Sequence, residues 1–297
     1  MVQSGRVNRL GFMGGDRLGS YEVFRDMLVQ QLNLFSLRSS IWQHGRGGMI
    51  QRLRELVPDV SRQENTETLA FNDYWELKRR HLQDFQCQLM LNALSSIPSK
   101  SLTVVDIGDS AGTHFIYLKN LMPPDRRIRT LSVNLDSRAI EKIRARGLEA
   151  IHCRAEELSL EHPVDLFMSF EMLEHLHNPA LFLHRLAKRP DKSRLLLTVP
   201  FLRRSRVGLH YTRRESLDLI HAEDEHIFEL CPADWTLLFR HSGWKVSWSR
   251  ICLQYPDWPL VGSVLGRWWR RVDYEGFWGV LLEKDPALSD RYLDWEI

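Results

Sequence analysis

Val104-Val105-Asp106-Ile107-Gly108-Asp109-Ser110-Ala111-Gly112-Thr113 decides how the 297-residue chain is organised. A short β-branched run, opening at Leu102, ends in an acid. Small residues follow, and a helical segment from Thr113 to Leu121 comes next, so the stretch reads as strand, tight loop and helix. The same alternation continues outward. Strands are expected at Ile128–Leu135, Glu149–His152, Val164–Phe170 and Arg194–Val199, with helices at Ser137–Arg146 and Pro179–Lys188 between them. Strands alternating with helices predict a doubly wound α/β fold with a mostly parallel sheet of seven strands, and ligands at the carboxyl ends of those strands. Beyond Pro200, a helix Pro232–His241 and strands Trp244–Leu253 and Gly276–Glu283 complete the sheet, with a short helix within Pro256–Val272. Before the first strand, apolar residues at three- and four-residue spacing predict helices at Tyr21–Leu37, Gly48–Val57 and Asn72–Leu94. The expected division is a helical extension over 1–71, a catalytic domain over 72–285 and a tail over 286–297.

Composition narrows the function classes. Forty basic against 38 acidic residues leave a net charge of +2, which argues against a nucleic-acid partner driven by bulk charge. Cys87, Cys153, Cys231 and Cys252 show no C-x-x-C spacing, so neither a zinc cluster nor a disulfide framework is expected. The first twenty residues lack the apolar core of a signal peptide, and no run is apolar for long enough to span a bilayer. A reducing, cytoplasmic location is expected.

The loop resembles the first motif of the class I S-adenosylmethionine-dependent methyltransferases, D-x-G-x-G-x-G, read here as Asp106, Gly108, Ser110 and Gly112, with serine in place of the middle glycine. In that family an acid after the second strand holds the ribose hydroxyls. The matching position is Asn134, with Asp136 two residues on, and Arg154-Ala155-Glu156-Glu157 leaves Glu156 beside the adenine. The stretch Val164 to Pro179, which includes Glu171, Glu174 and His175, resembles the fourth-strand segment of small-molecule enzymes. There Glu-His opens the following helix. The stretch from Asp224 to Trp235 resembles the loop and helix before the sixth strand. The likeness spans about Asn72 to Lys284 and leans toward the small-molecule, ubiquinone-pathway-like O-methyltransferase branch. It implies S-adenosylmethionine as cofactor, bound by Asp106, Gly108, Ser110, Gly112, Asn134, Asp136, Glu156 and Glu171.

Methyl transfer to a hydroxyl gains from a base that takes the proton. His226 is the favoured candidate, with His175, His210 and His221 as others. Glu171, Glu174 and His175 at i, i+3 and i+4, joined by His226, could hold a divalent ion, a question the residues leave open. Arg203, Arg204, Arg206, Arg213 and Arg214 suit a phosphate-bearing glycan, lipid-linked or other small acceptor. Trp258, Trp268 and Trp269 with Arg267, Arg270 and Arg271 suit peripheral contact through 258–271 with the inner face of a membrane, or core packing. Two other readings stay open. One is a catalytically silent binding or scaffold protein, motivated by Ser110, Asn134 and Arg154. The other is an RNA methyltransferase.

Overall fold

The computed structural model describes residues 20–60, 72–207 and 226–293, with side chains described from residue 27 onward. Three helices come first: α1 (Ser20–Gln43), α2 (Gly47–Leu56) and α3 (Asp73–Ser95). The α/β alternation follows as β1 (Ser101–Ile107), α4 (Thr113–Leu121), β2 (Arg127–Asn134), α5 (Ser137–Ala145), β3 (Ala150–His152), β4 (Leu166–Phe170), α6 (Pro179–Lys188) and β5 (Arg194–Phe201). A small hairpin of β6 (Arg206–Val207) and β7 (Phe228–Glu229) precedes α7 (Pro232–His241), β8 (Trp244–Leu253), α8 (Pro259–Val272) and β9 (Gly276–Lys284).

The main sheet has seven strands in the order β3-β2-β1-β4-β5-β9-β8. β1 pairs parallel with both β2 and β4, and β4 pairs parallel with β5, whereas β9 runs antiparallel to β5. The chain therefore winds outward in one direction through β2 and β3, then returns past β1 to begin β4. At that reversal the loops after β1 and β4 leave the same end of adjacent strands, where an open α/β sheet has its crevice.

By its contacts the chain gathers into two compact units. Residues 20–60, 72–84 and 253–275 belong to one, and 85–207, 226–252 and 276–293 to the other. The second unit holds the sheet. Val104, Val105, Leu166, Phe167, Leu195, Leu196 and Leu197 are all fully buried, as expected for central strands covered on both faces. The first unit has its own core of Leu37, Tyr74, Tyr255 and Trp269, with Trp268 packed against it. Here α1 turns polar residues inward: Trp269 Nε1 donates to Ser36 Oγ at 2.9 Å and Trp268 Nε1 to Asn33 Oδ1 at 2.8 Å. Two of the three tryptophans within 258–271, Trp268 and Trp269, therefore serve packing. The short helix expected within Pro256–Val272 is α8, and Pro259 sets its first turn.

Within the second unit β9 approaches α3 where there is no side chain to keep them apart. A Cβ at Gly279 would lie 2.3 Å from Leu89 Cδ1 and 3.0 Å from Phe85 Cζ. Leu89 is fully buried and has nowhere to move. Replacing Gly279 with Val is expected to lower stability by about 1–3 kcal/mol, the usual cost of overpacking, read as a lower denaturation midpoint at unchanged slope.

Candidate functional site

The loop after β1 is shaped by its own side chains. Asp109 is buried, and its Oδ1 accepts from the backbone N–H groups of Ala111 at 3.1 Å and Gly112 at 2.7 Å. Its Oδ2 accepts from Ser132 Oγ on β2 at 2.6 Å. Gly108 and Gly112 take φ values of 90° and 72°, a region that L side chains rarely adopt, and Gly112 stands as N-cap of α4. Ser110, in place of the middle glycine, is exposed.

Asp106 ends β1 with its carboxyl almost wholly buried. Oδ2 lies 2.7 Å from His114 Nδ1, and His114 Nε2 lies 3.2 Å from Gln86 Oε1. Gln86 in turn donates to Thr198 Oγ1 on β5 at 3.4 Å. Asp106 Oδ1 has no hydrogen-bond partner among the described residues. Burial pushes the Asp106 carboxyl up to about 6, with the nearby Asp109 charge adding to the rise and His114 opposing it.

Asn134 sits where the resemblance places a ribose-binding acid. Its Nδ2 donates to the Asp109 carbonyl at 2.9 Å and its Oδ1 accepts from Asp136 N at 2.8 Å, so the amide holds the two loops in register. Asp136 caps α5 by accepting from Arg138 N at 2.9 Å. Glu156 lies on a 3-10 turn, Ala155–Glu157, with Arg154 Nη2 at 3.6 Å.

The turn after β4 departs from the expected helix. Glu174 and His175 lie on a 3-10 turn, Leu173–His175, and α6 starts only at Pro179 because Asn178 caps it, accepting from Leu181 N at 3.0 Å. Glu171, with φ 50°, is the only non-glycine residue of positive φ among the described residues, and its N–H donates to the Thr198 carbonyl at 2.9 Å. The i, i+3, i+4 helical face foreseen for Glu171, Glu174 and His175 is thus not formed. The same turn brings Met172 over the β1 loop, so that a Cβ at Gly108 would lie 2.8 Å from Met172 Cγ.

A second cluster gathers on this turn. Ligand atoms of Glu174, His175 and His226 lie within 4.8 Å of one another, and the rings of His175 and His226 meet edge to face at 4.7 Å. Two imidazoles and a buried carboxylate form a donor set that suits a first-row divalent ion. The backbone docks as well, with Ile227 N donating to the Glu174 carbonyl at 2.8 Å. His226 Nδ1 lies 2.9 Å from Glu229 Oε1, and Arg206 pairs with the same carboxylate. Burial alone would raise Glu229, but hydrogen bonds from His226 and Arg206 outweigh it and hold the carboxyl below its ordinary value. An ionised Glu229 holds the His226 ring in place through this bond.

His114, Gln86, Asp109 and Glu229 were not singled out by the sequence reading. Asp109 carries a local signal, since Asp followed by small residues favours a turn closed by its own side chain. His114 carries none, because only the return of α4 along β1 sets it against Asp106. Of the arginine group, Arg206 is committed to Glu229, Arg203 and Arg204 are exposed, and Arg213, Arg214, His210 and His221 lie outside the described residues. None of the four cysteines is in a disulfide.

No protein-family model matches the chain, and no curated protein matches it in sequence. Solved structures do. The O-methyltransferase of a trans-AT polyketide synthase multienzyme from Brevibacillus brevis, in complex with S-adenosylhomocysteine, aligns with a TM-score of 0.50 at 14% identity, covering 80% of each chain. The 1,6-didemethyltoxoflavin N1-methyltransferase of Burkholderia thailandensis, with its substrate and S-adenosylhomocysteine, aligns at 0.46 and 15% identity over 92% of this chain and 93% of that one. The strand order, the antiparallel β9 and the first of these likenesses together give this protein the Rossmann-like fold of the S-adenosylmethionine-dependent methyltransferases.

Proposed function

We propose that the protein transfers a methyl group from S-adenosylmethionine to a hydroxyl of a small-molecule, glycan or lipid-linked acceptor. The observation that carries this reading is a buried carboxylate oxygen, Asp106 Oδ1, lacking a partner among the described residues at the reversal of the sheet, beside two left-handed glycines. A buried acceptor without a donor is costly unless a ligand supplies one, and the ammonium of an amino-acid moiety is such a donor. Asp106 would hold that ammonium, Asn134 and Asp136 would face the ribose, and Glu156 and Glu171 would complete the site. When bound, the cofactor supplies an electrophilic methyl group on a sulfonium sulfur.

Transfer of that methyl to an acceptor hydroxyl would leave the acceptor's proton to be taken by a base on this chain. His226, oriented by Glu229, is the proposed base, with His175 edge to face beside it. The exposed Arg203 and Arg204, which follow β5, favour an acceptor bearing phosphate. The polypeptide's part is positioning: loops at the end of one rigid sheet hold the groups in line.

A second reading, a silent binding or scaffold protein, is favoured by one observation. His114 already occupies one oxygen of Asp106, and the Asn134 amide is committed to backbone at both ends. Titration calorimetry separates the two. The wild type is expected to bind S-adenosylmethionine saturably, with Asp106→Ala roughly 10- to 100-fold weaker, as for loss of a hydrogen bond to a charged group. Gly112→Val is expected to abolish binding, because its φ of 72° suits glycine and a Cβ there would lie 2.4 Å from Leu148 Cδ1. Circular dichroism confirms that each variant is folded. Absence of binding by folded wild type would leave the scaffold reading.

The reading also fixes the sign of a pH effect. With its carboxyl raised to about 6, Asp106 is ionised above that pH and neutral below it. Ammonium capture needs the anion, so affinity for S-adenosylmethionine is expected to fall as pH drops through about 6, and Asp106→Asn should flatten the profile. A wild-type affinity unchanged between pH 5 and pH 8, both chosen to bracket a carboxyl near 6, would remove Asp106 from the cofactor's binding partners.

A further inference from the structure

In the first unit, α1 and α8 each bury one face and leave a second set of apolar side chains exposed. α1 turns Asn33, Ser36 and Ser40 inward, where they bond to Trp268, Trp269 and the 253–254 backbone. Its opposite side carries Leu28, Leu32, Phe35 and Trp42, spaced by four, three and seven residues along one stripe and exposed, Trp42 to 76%. α8 buries Gly262, Gly266 and Trp269 and exposes Leu260 to 84% and Val264 to 66%. The rings of Trp42 and Trp258 meet edge to face at 6.3 Å, joining the end of α1 to the start of α8.

Charge distinguishes this surface from a simple apolar patch. Residues 27–54 and 258–272 contain seven arginines (Arg38, Arg46, Arg52, Arg54, Arg267, Arg270 and Arg271) and no Asp or Glu, in a chain whose total is 40 basic against 38 acidic. Arg54 pairs with Glu76 at 2.8 Å and Arg46 with Asp84 at 3.4 Å, and Asp257 is hydrogen-bonded to Gln43. Arg270 pairs with the buried Glu275, while Arg38, Arg267 and Arg271 are exposed. Two copies of one basic surface would repel each other. A bilayer with anionic headgroups offers acyl chains to the apolar residues and negative charge to the arginines, and tryptophan is the side chain favoured at such a boundary.

We propose that the exposed faces of α1 and α8 dock this protein on the surface of an anionic lipid bilayer, with Trp42, Leu260 and Val264 at the acyl boundary and Arg267 and Arg271 among the headgroups. α8 is held by a folded core and needs no membrane to form. The surface lies within one unit, so its test does not depend on methyl transfer.

The test is co-sedimentation of the full chain with vesicles of phosphatidylcholine, alone or mixed with phosphatidylglycerol. Binding is expected only to the mixed vesicles and is expected to weaken as salt is raised. Arg267→Ala and Arg271→Ala should each lower partitioning roughly fivefold, the factor for about 1 kcal/mol per basic residue near an anionic surface. Leu260→Ser combined with Val264→Ser should lower it by roughly tenfold or more while leaving the melting temperature unchanged, since both side chains are exposed. Failure to bind mixed vesicles overturns the proposal, and so does binding indifferent to lipid charge. A wild-type dimer that fails to bind vesicles and that Phe35→Ser and Val264→Ser dissociate would assign the stripe to a second copy instead.

Discussion

One buried carboxylate, Asp109, holds the candidate site together. Its two oxygens accept from Ala111 N, Gly112 N and Ser132 Oγ, and its carbonyl accepts from Asn134, so a single residue fastens the loop after β1 to its own helix and to β2. Buried polar groups tolerate little displacement, because each bond given up leaves a desolvated group behind. With Asp109 seated, Gly108 and Gly112 have little choice of backbone conformation, α4 starts where it does, and Asp106 is presented at the end of β1. Asn134 belongs to the same arrangement. The position that the family resemblance assigns to ribose binding is here a brace between two loops.

The electrostatics around the site divide into two kinds of carboxylate. Asp106 is raised because burial penalises its charge and Asp109 lies near, whereas Glu229 is lowered because His226 and Arg206 both bond to it. One carboxyl is therefore raised to about 6 by its surroundings and the other is held below its ordinary value by its hydrogen bonds. The polar chain from Thr198 through Gln86 and His114 to Asp106 ties this tuning to β5 and α3, so it is a property of the folded sheet and not of the loop alone.

Local patterns carried far along the chain. α4, α6, α7 and β8 begin and end where apolar periodicity, the prolines at 179 and 232 and the β-branched runs place them. Whereas the order of the strands came only with the structure, the mostly parallel sheet followed from the alternation of strands with helices, and the Gly-containing loop pointed to the crevice. All of these are signals between near neighbours in sequence. The turn after β4 differs from what the family resemblance implied for Glu-His: Asn178 and Pro179 cap the helix at the expected Pro179, and the preceding Leu173–His175 settles into a 3-10 turn.

What the sequence by itself determined is the layering, the parallel sheet and the place of the acid and glycines at the end of β1, because periodicity and turn chemistry act over a few residues. Only the tertiary structure decided that His114 engages Asp106, that Glu229 holds His226, and that α1 turns its serines inward and its tryptophan outward. Each of those depends on which elements pack against one another. Side chains eight residues apart, or more than two hundred apart as Ser36 and Trp269 are, meet only when the sheet and helices have assembled around them.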